Sequence, residues 1–199
     1  MRKKIIVGID EVGRGPLAGP VMIGIVASHG HLPLRGIDDS KRMTAGQRTE
    51  VALAAESLVA EGVFRFGVYA ESAKTIDAHG IQAALRRAIT RGLADLAIDP
   101  RSSELALDAG LVAPPEYFQQ SIVHGDALVP AIGLAAILAK TERDRFMASV
   151  LARKYPAYGF ADHKGYGTRA HLEALQLHGP SPVHRLSFLT RLVVSSPHE

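Results

Sequence analysis

The sequence predicts an α/β domain: a mixed β-sheet flanked by helices, with a small, mainly helical C-terminal extension. Three observations predict it. Two β-rich runs, residues 4–9 and 20–28, bracket a glycine-rich turn. A third strand-like run, residues 63–70, follows a helix with a clear start signal. Helix and strand then alternate, and two short apolar runs each lead into an aspartate. That order suits a sheet with both parallel and antiparallel neighbours.

The elements follow one another along the chain. Ile5-Ile6-Val7 begins the first strand, and the run Gly8-Ile9-Asp10-Glu11-Val12-Gly13-Arg14-Gly15 carries it into the turn. Residues 20–28 are apolar nearly throughout, so this strand is expected to be buried on both faces. Residues 29–41 read as a loop ending in Asp38-Asp39-Ser40-Lys41. Thr44 is placed to cap a helix to about residue 60, with Gln47 completing a capping box. Ile76–Leu96 reads as one helix, with Ile81, Ala84, Leu85, Ala88 and Ile89 on a single stripe. Glu104–Leu107 is a short strand leading into Asp108, and Ser121-Ile122-Val123 leads likewise into Gly125-Asp126. A long helix is expected from there to about Lys154, with Pro130 tolerated in or near its first turn. The tail from Tyr155 is richer in Gly, Pro, His and Tyr, with one helix near residues 168–177.

Composition narrows the chemistry. The 199 residues, 47% of them apolar, suffice for one compact domain with a sizeable core. No cysteine is present, which excludes disulfides, zinc–thiolate sites and thiol nucleophiles. The formal charge of +3 is compatible with a polyanionic partner without requiring one. The apolar stretch after Met1-Arg2-Lys3-Lys4 stops at Asp10, too short for a signal-peptide core, and no run reaches membrane-spanning length. A cytoplasmic protein that does not engage membranes is therefore expected.

Asp10, Glu11, Asp108 and Asp126 all fall at or just beyond expected strand ends. If those strands are neighbours, the four carboxylates meet on one rim, where they could not all ionise without a compensating cation. Oxygen-only ligands favour hard ions, Mg2+ or Mn2+. Two such ions can hold the attacking water and the leaving oxygen on opposite sides of a phosphate. Each acid also has a local alternative: Asp126 could cap the long helix, Asp108 could open a turn, and Glu11 could pair with Arg14. The tandem Asp10-Glu11 before a Gly-Arg-Gly turn has no such simple explanation.

Taken together, these segments resemble type 2 ribonuclease H (ribonuclease HII). Gly8–Pro20 resembles the family's N-terminal signature, Asp39-Ser40-Lys41 its Asp-Ser-Lys element, and Leu105–Asp108 the strand of its third acid. Gly125-Asp126 with Ala135–Lys140 and Arg143-Asp144 is similar to the fourth acid and its helix. Tyr155–Phe160, His163–Thr168, His171, Gly179-Pro180 and His184-Arg185 match its C-terminal pattern. The chain departs from the pattern at Gly133 and Ala136, where serine is usual, and at Ala109, where glycine is common. The related type 3 enzymes usually lack the Gly-Arg-Gly turn and carry an N-terminal extension, so type 2 is favoured.

The resemblance implies a ribonuclease H-like catalytic core over residues 1–154 and a substrate-contacting extension of the same domain over 155–199. It implies an endonuclease, dependent on Mn2+ or Mg2+, that cuts the RNA strand of RNA–DNA hybrids and duplex DNA 5′ of a single embedded ribonucleotide. The cut would leave a 3′-hydroxyl and a 5′-phosphate. Asp10, Glu11, Asp108 and Asp126 carry over as metal-binding acids. Gly13, Arg14 and Gly15 carry over as readers of the 2′-hydroxyl, the group that marks RNA. Tyr166 carries over as the ring that packs on the neighbouring deoxyribose, with Ser40 and Lys41 as phosphate contacts.

A β-branched residue at Gly13 or Gly15 is expected to damage selectivity more than stability. Arg143 and Asp144 are expected in structural ion pairs, His124 on the surface, and His163, His171 and His184 in phosphate-contacting or structural roles. A hybrid-only ribonuclease H and a non-catalytic nucleic-acid-binding protein of the same fold remain the alternatives. Nothing in the residues indicates a protein partner, and a monomer is expected.

Overall fold

The computed structural model describes residues 4–30, 32–34, 37 and 43–193, the last three by backbone alone. Ser40 and Lys41 lie outside the described residues. Five strands form one sheet: β1 (Ile5–Val12), β2 (Val21–Ser28), β3 (Phe64–Glu71), β4 (Ser103–Asp108) and β5 (Gln119–Ile122), in the order β3-β2-β1-β4-β5. β1, β2 and β3 pair antiparallel as a meander, while β4 lies parallel to β1 and β5 parallel to β4. The sheet is mixed, as the sequence predicts, and β2 is buried along its whole length.

Helices cover both faces. α1 (Ala45–Ala60) begins at the expected capping box, with the Thr44 side chain accepting from the Gln47 N–H and the Gln47 side chain accepting from the Thr44 N–H. Thr44→Ala is expected to cost about 1 kcal/mol, read as a lower thermal midpoint. Where one helix was expected over 76–96 there are two, α2 (Ala73–His79) and α3 (Ile81–Asp95). Gly80 separates them at φ +81°, a positive-φ extended conformation open to glycine that ends α2 while α3 resumes the apolar stripe. Ala84, Leu85, Ala88, Ile89 and Leu93 of α3 pack on Val7, Ile9, Ile23, Ile25, Leu105 and Leu107 of the sheet.

The long helix expected after Asp126 is also divided. α4 (Gly125–Leu128) is a single turn, and α5 (Pro130–Phe146) starts with Pro130 in its first turn. The rod continues through a π-helical segment, Met147–Leu151, into α6 (Ala152–Lys154). α5 lies on the opposite face from α3, and its backbone runs so close to β1 and β2 that a Cβ on Gly8 or Gly24 would collide with the main chain at Ala131 or Ala135. These two glycines let helix and sheet meet backbone to backbone.

The tail folds as a 3-10 turn (Pro156–Tyr158), α7 (Phe160–His163), α8 (Arg169–His178) and α9 (Leu186–Val193). Thr168 caps α8, close to the helix expected there. A small core of Ala18, Met147, Leu151, Tyr158 and Phe160 joins this tail to the turn after β1 and to the end of the long rod. Main-chain bonds reinforce the join: Leu17 N–H donates to Gly165, Gly19 N–H to Val183, and Arg185 N–H to Leu17.

Candidate metal centre and turn

β1 runs two residues past Asp10, so Asp10 and Glu11 lie inside the strand rather than beyond its end. Period-two alternation puts Asp10 on the same face as Gly8, the face that α5 covers. β4 lies parallel beside β1 and ends on Asp108. That pairing brings Asp10, Glu11 and Asp108 together, each offering an oxygen within 4.8 Å of the others. Asp126 is half-buried in the single turn of α4 and falls outside this close group. It is nonetheless tied to it, because the preceding Gly125 N–H donates to Asp108 Oδ1 at 3.0 Å. The Asp126 carboxylate accepts from the Ala127 N–H, and Val129 and Pro130 head α5, so Asp126 does not cap the long helix.

The local alternative for Glu11 is real but incomplete. Glu11 Oε1 takes the Arg14 Nε–H at 2.5 Å. Its other oxygen, Oε2, is buried and has no hydrogen-bond partner among the described residues. Asp10 is 6% exposed, and its carboxyl is pushed up to about 8 by burial first, then by the charges of Glu11 and Asp108, against one opposing hydrogen bond from the Glu11 N–H. A buried carboxyl that resists ionisation beside an unpartnered carboxylate oxygen fits a divalent cation, whose charge removes both penalties.

A pH dependence follows. The folded pKa of Asp10 lies above the unfolded value of 3.8, so the stability it contributes is full below that value and is lost as pH rises towards about 8. Without cation, the melting temperature is expected to fall over this window. Added Mn2+ or Mg2+ is expected to raise it more at about pH 9 than at about pH 5, because the cation replaces the proton. A metal-induced rise equal at both values would remove the proton–metal competition.

The turn after β1 is held from behind by two buried arginines. Arg185, 0% exposed, donates to the carbonyls of Gly19 (3.0 Å), Arg14 (2.9 Å) and Gly13 (2.7 Å). Arg143, also 0% exposed, donates to the carbonyls of Pro20 (3.1 Å), Ala18 (3.4 Å) and Lys164 (3.1 Å). Burial lowers both guanidinium pKa values, that of Arg185 to about 9, so Arg185 stays charged at neutral pH. Carbonyl contacts thus replace the ion pair expected of Arg143, whereas Asp144 does pair, with Lys140 and Arg48. Neither clamp is visible in the sequence, because no carboxylate at a recognisable spacing marks it.

The clamp sets the direction of the peptide groups. Among the described residues no peptide bond is cis, and in a trans peptide the C=O of one residue opposes the N–H of the next. With the Gly13 and Arg14 carbonyls drawn onto Arg185, the N–H groups of Arg14 and Gly15 point away from the interior. Gly13 supplies the positive φ, +91°, that this course needs. Gly15 is exposed, and a Cβ there would come no nearer than 4.0 Å to the Tyr166 ring. Tyr166 is 42% exposed, and the Arg143 guanidinium lies 5.8 Å from its ring centre. Gly13, Arg14, Gly15 and Tyr166 therefore share one neighbourhood, beside the acids through the Arg14–Glu11 bond.

Of the remaining candidates, His124 is exposed, at φ +55°, just before Gly125. Gly133 lies under Asp126: a Cβ there would come within 2.6 Å of the Asp126 carbonyl oxygen, so glycine at this position suits the local backbone. Among the described residues, no helix is long and apolar enough to cross a membrane.

The ribonuclease HII family model matches residues 7–191. Ribonuclease HII of Bordetella pertussis is 45% identical over 185 residues, covering 92% of this chain and 88% of the relative. Among solved structures, ribonuclease H2 from Pyrococcus horikoshii matches with a TM-score of 0.73 at 24% identity, over 96% of each chain. The PCNA:RNase HII complex from Archaeoglobus fulgidus matches at 0.74 with 21% identity, over 97% of this chain and 98% of that one. At these identities the two solved structures establish a common fold.

Proposed function

The chain belongs to the ribonuclease HII family and is a nuclease, and from that premise we propose that it cuts the RNA strand of RNA–DNA hybrids and duplex DNA 5′ of a single embedded ribonucleotide. The products carry 3′-hydroxyl and 5′-phosphate ends. One observation carries the proposal: Asp10, Glu11 and Asp108 are grouped, with one Glu11 oxygen buried and unpartnered, next to a turn whose carbonyls are drawn inward onto Arg185.

Asp10, Glu11 and Asp108 would hold divalent cation, with Asp126 completing the site from α4. A pair of divalent cations held there, Mn2+ or Mg2+, would supply the charge that acidifies the attacking water and stabilises the departing 3′-oxygen. The chain's own groups do the selecting. The outward N–H groups of Arg14 and Gly15 donate to the ribonucleotide 2′-hydroxyl, which deoxyribose lacks. The Tyr166 ring packs against the next sugar, where a 2′-hydroxyl would crowd it. Glu11 holds Arg14 by one oxygen and is itself one of the three grouped acids, which ties recognition to cutting across three residues. Ser40 and Lys41 are proposed as phosphate contacts. All of these groups lie on one chain, so a monomer suffices.

The test compares two substrates with the purified protein: a DNA duplex containing one ribonucleotide and a continuous RNA–DNA hybrid. Cleavage of both with Mn2+ or Mg2+, the first on the 5′ side of the ribonucleotide, and none in chelator, is expected. Cutting of the hybrid alone would make this a narrower ribonuclease H. Binding without cutting under either metal would leave a nucleic-acid-binding protein.

A further inference from the structure

The tail contains a line of hydrogen bonds that ends on the main chain of Tyr166. His184 Nδ1 contacts the Ser181 backbone N–H at 2.9 Å and the Ser181 hydroxyl at 2.8 Å. His184 Nε2 lies 3.0 Å from His171 Nε2, and His171 Nδ1 lies 2.9 Å from the Tyr166 carbonyl oxygen. His171 is 0% and His184 2% exposed.

Each link has only one possible direction. A backbone N–H can only donate, so His184 Nδ1 is bare and its proton sits on Nε2. That N–H points at His171 Nε2, which must accept, leaving the His171 proton on Nδ1. A carbonyl can only accept, so this proton goes to Tyr166. The two buried rings are thus locked in opposite tautomers, and a second proton on either would set two donors against each other. Burial holds both in the neutral form, His184 down to about 4. His163 packs alongside, its ring stacked on His171 at 4.4 Å between centroids. Its Nδ1 takes the Gly165 N–H and its Nε2 donates to the Tyr158 carbonyl, which holds the residue before Tyr166.

Tyr166 needs such support. Its N–H donates to the His163 carbonyl at 2.9 Å, and its carbonyl takes the Thr168 N–H at 2.8 Å besides the His171 ring, but glycines flank it on both sides, Gly165 at φ +86°, so the neighbouring residues add no stiffness of their own. We propose that the Ser181–His184–His171 chain is a positioning device for Tyr166, and that it sets the preference for a single ribonucleotide in duplex DNA over a continuous RNA strand. The preference, though not the proton order, rests on the reading of Tyr166 as a substrate contact given above. His171 and His184 then act through Tyr166 without touching substrate.

Two measurements test it. Long-range 15N–1H spectra at neutral pH should show His171 as the Nδ1–H form and His184 as the Nε2–H form. The same tautomer at both would overturn the chain. Cleavage of the two substrates should then be compared for His171→Leu and His171→Asn. The leucine variant is expected to lower the ratio of single-ribonucleotide to hybrid cleavage by about tenfold, with hybrid cleavage within about twofold of wild type. The asparagine variant places its amide near the Nδ1 position, keeps the donor to Tyr166 and should restore most of the ratio. An unchanged ratio in folded His171→Leu, or no recovery with asparagine, would overturn the positioning role. If His171→Leu fails to fold, asparagine against His171→Gln, which lacks the donor at the Nδ1 position, makes the same comparison. A wild type that cuts hybrid but never the single ribonucleotide removes the Tyr166 reading and the preference with it, while the spectra still decide the proton order.

Discussion

Asp10→Asn is expected to reduce cleavage of both substrates by at least about a thousandfold, the scale of losing several kcal/mol of cation-dependent transition-state stabilisation. The carboxamide keeps the oxygen that accepts the Glu11 N–H, so the end of β1 should hold its course. What it removes is the negative charge. Substrate binding should therefore survive largely intact, since the turn and Tyr166 are untouched. Stability should move the opposite way from activity. In chelator above about pH 8 the wild type carries an ionised, buried Asp10 beside two other acids, and the variant does not. Removing that charge should stabilise the metal-free protein by on the order of 3 kcal/mol there and flatten its pH–stability curve. Cleavage assays, duplex binding and melting curves in chelator check the three parts separately. Full activity of the variant with Mn2+ or Mg2+ would end the assignment of Asp10 as a ligand.

The second large effect separates two glycines that the sequence treats alike. Gly13→Val should destabilise the protein by roughly 3 kcal/mol, because valine is strained at φ +91° and its Cβ would run into the Arg143 side chain. That outcome corrects the expectation that both positions affect selectivity more than stability. Gly15→Val meets neither obstacle: the site is open, with only the Tyr166 ring at 4.0 Å. Its melting temperature should stay near wild type, corresponding to less than about 0.5 kcal/mol. On the proposed role of the turn, its cleavage at single ribonucleotides should fall roughly 10- to 100-fold, because the side chain would stand where the sugar approaches the Gly15 N–H. Chemical denaturation and the two-substrate assay distinguish the variants. Equal loss of stability in both would contradict the geometry of the turn.

Local signals were legible in the sequence, and contacts between distant residues were not. The capping box at Thr44 and Gln47 is written within four residues, and the structure places α1 there. The apolar run at 20–28 announces a central strand, and β2 is one. Gly80 went unread as a break because the stripe on either side keeps helical spacing. α7 and α9 carry no local signal: the first is one turn long and the second follows a segment dense in proline and histidine. The acid pair at the end of β1 was visible; its meeting with Asp108 had to be inferred from strand order, and the parallel β1–β4 pairing supplies it. Arg143 and Arg185 could not be read as clamps, since their partners are carbonyls 123 and 172 positions away, and every residue offers a carbonyl.

That last separation bears on when the protein becomes selective. The strands that carry Asp10, Glu11 and Asp108 are complete once about half of the chain has been made. The turn that follows Glu11 waits for Arg185, almost the whole chain later, before its carbonyls are drawn inward. Contacts of such long sequence separation form late, after the loop between them has closed. During synthesis or refolding, the outward amides of Arg14 and Gly15 should thus be among the last features to appear, behind the sheet and its acids. On the proposed role of the turn, a growing chain would pass through a stage that has its acids but cannot yet tell ribose from deoxyribose.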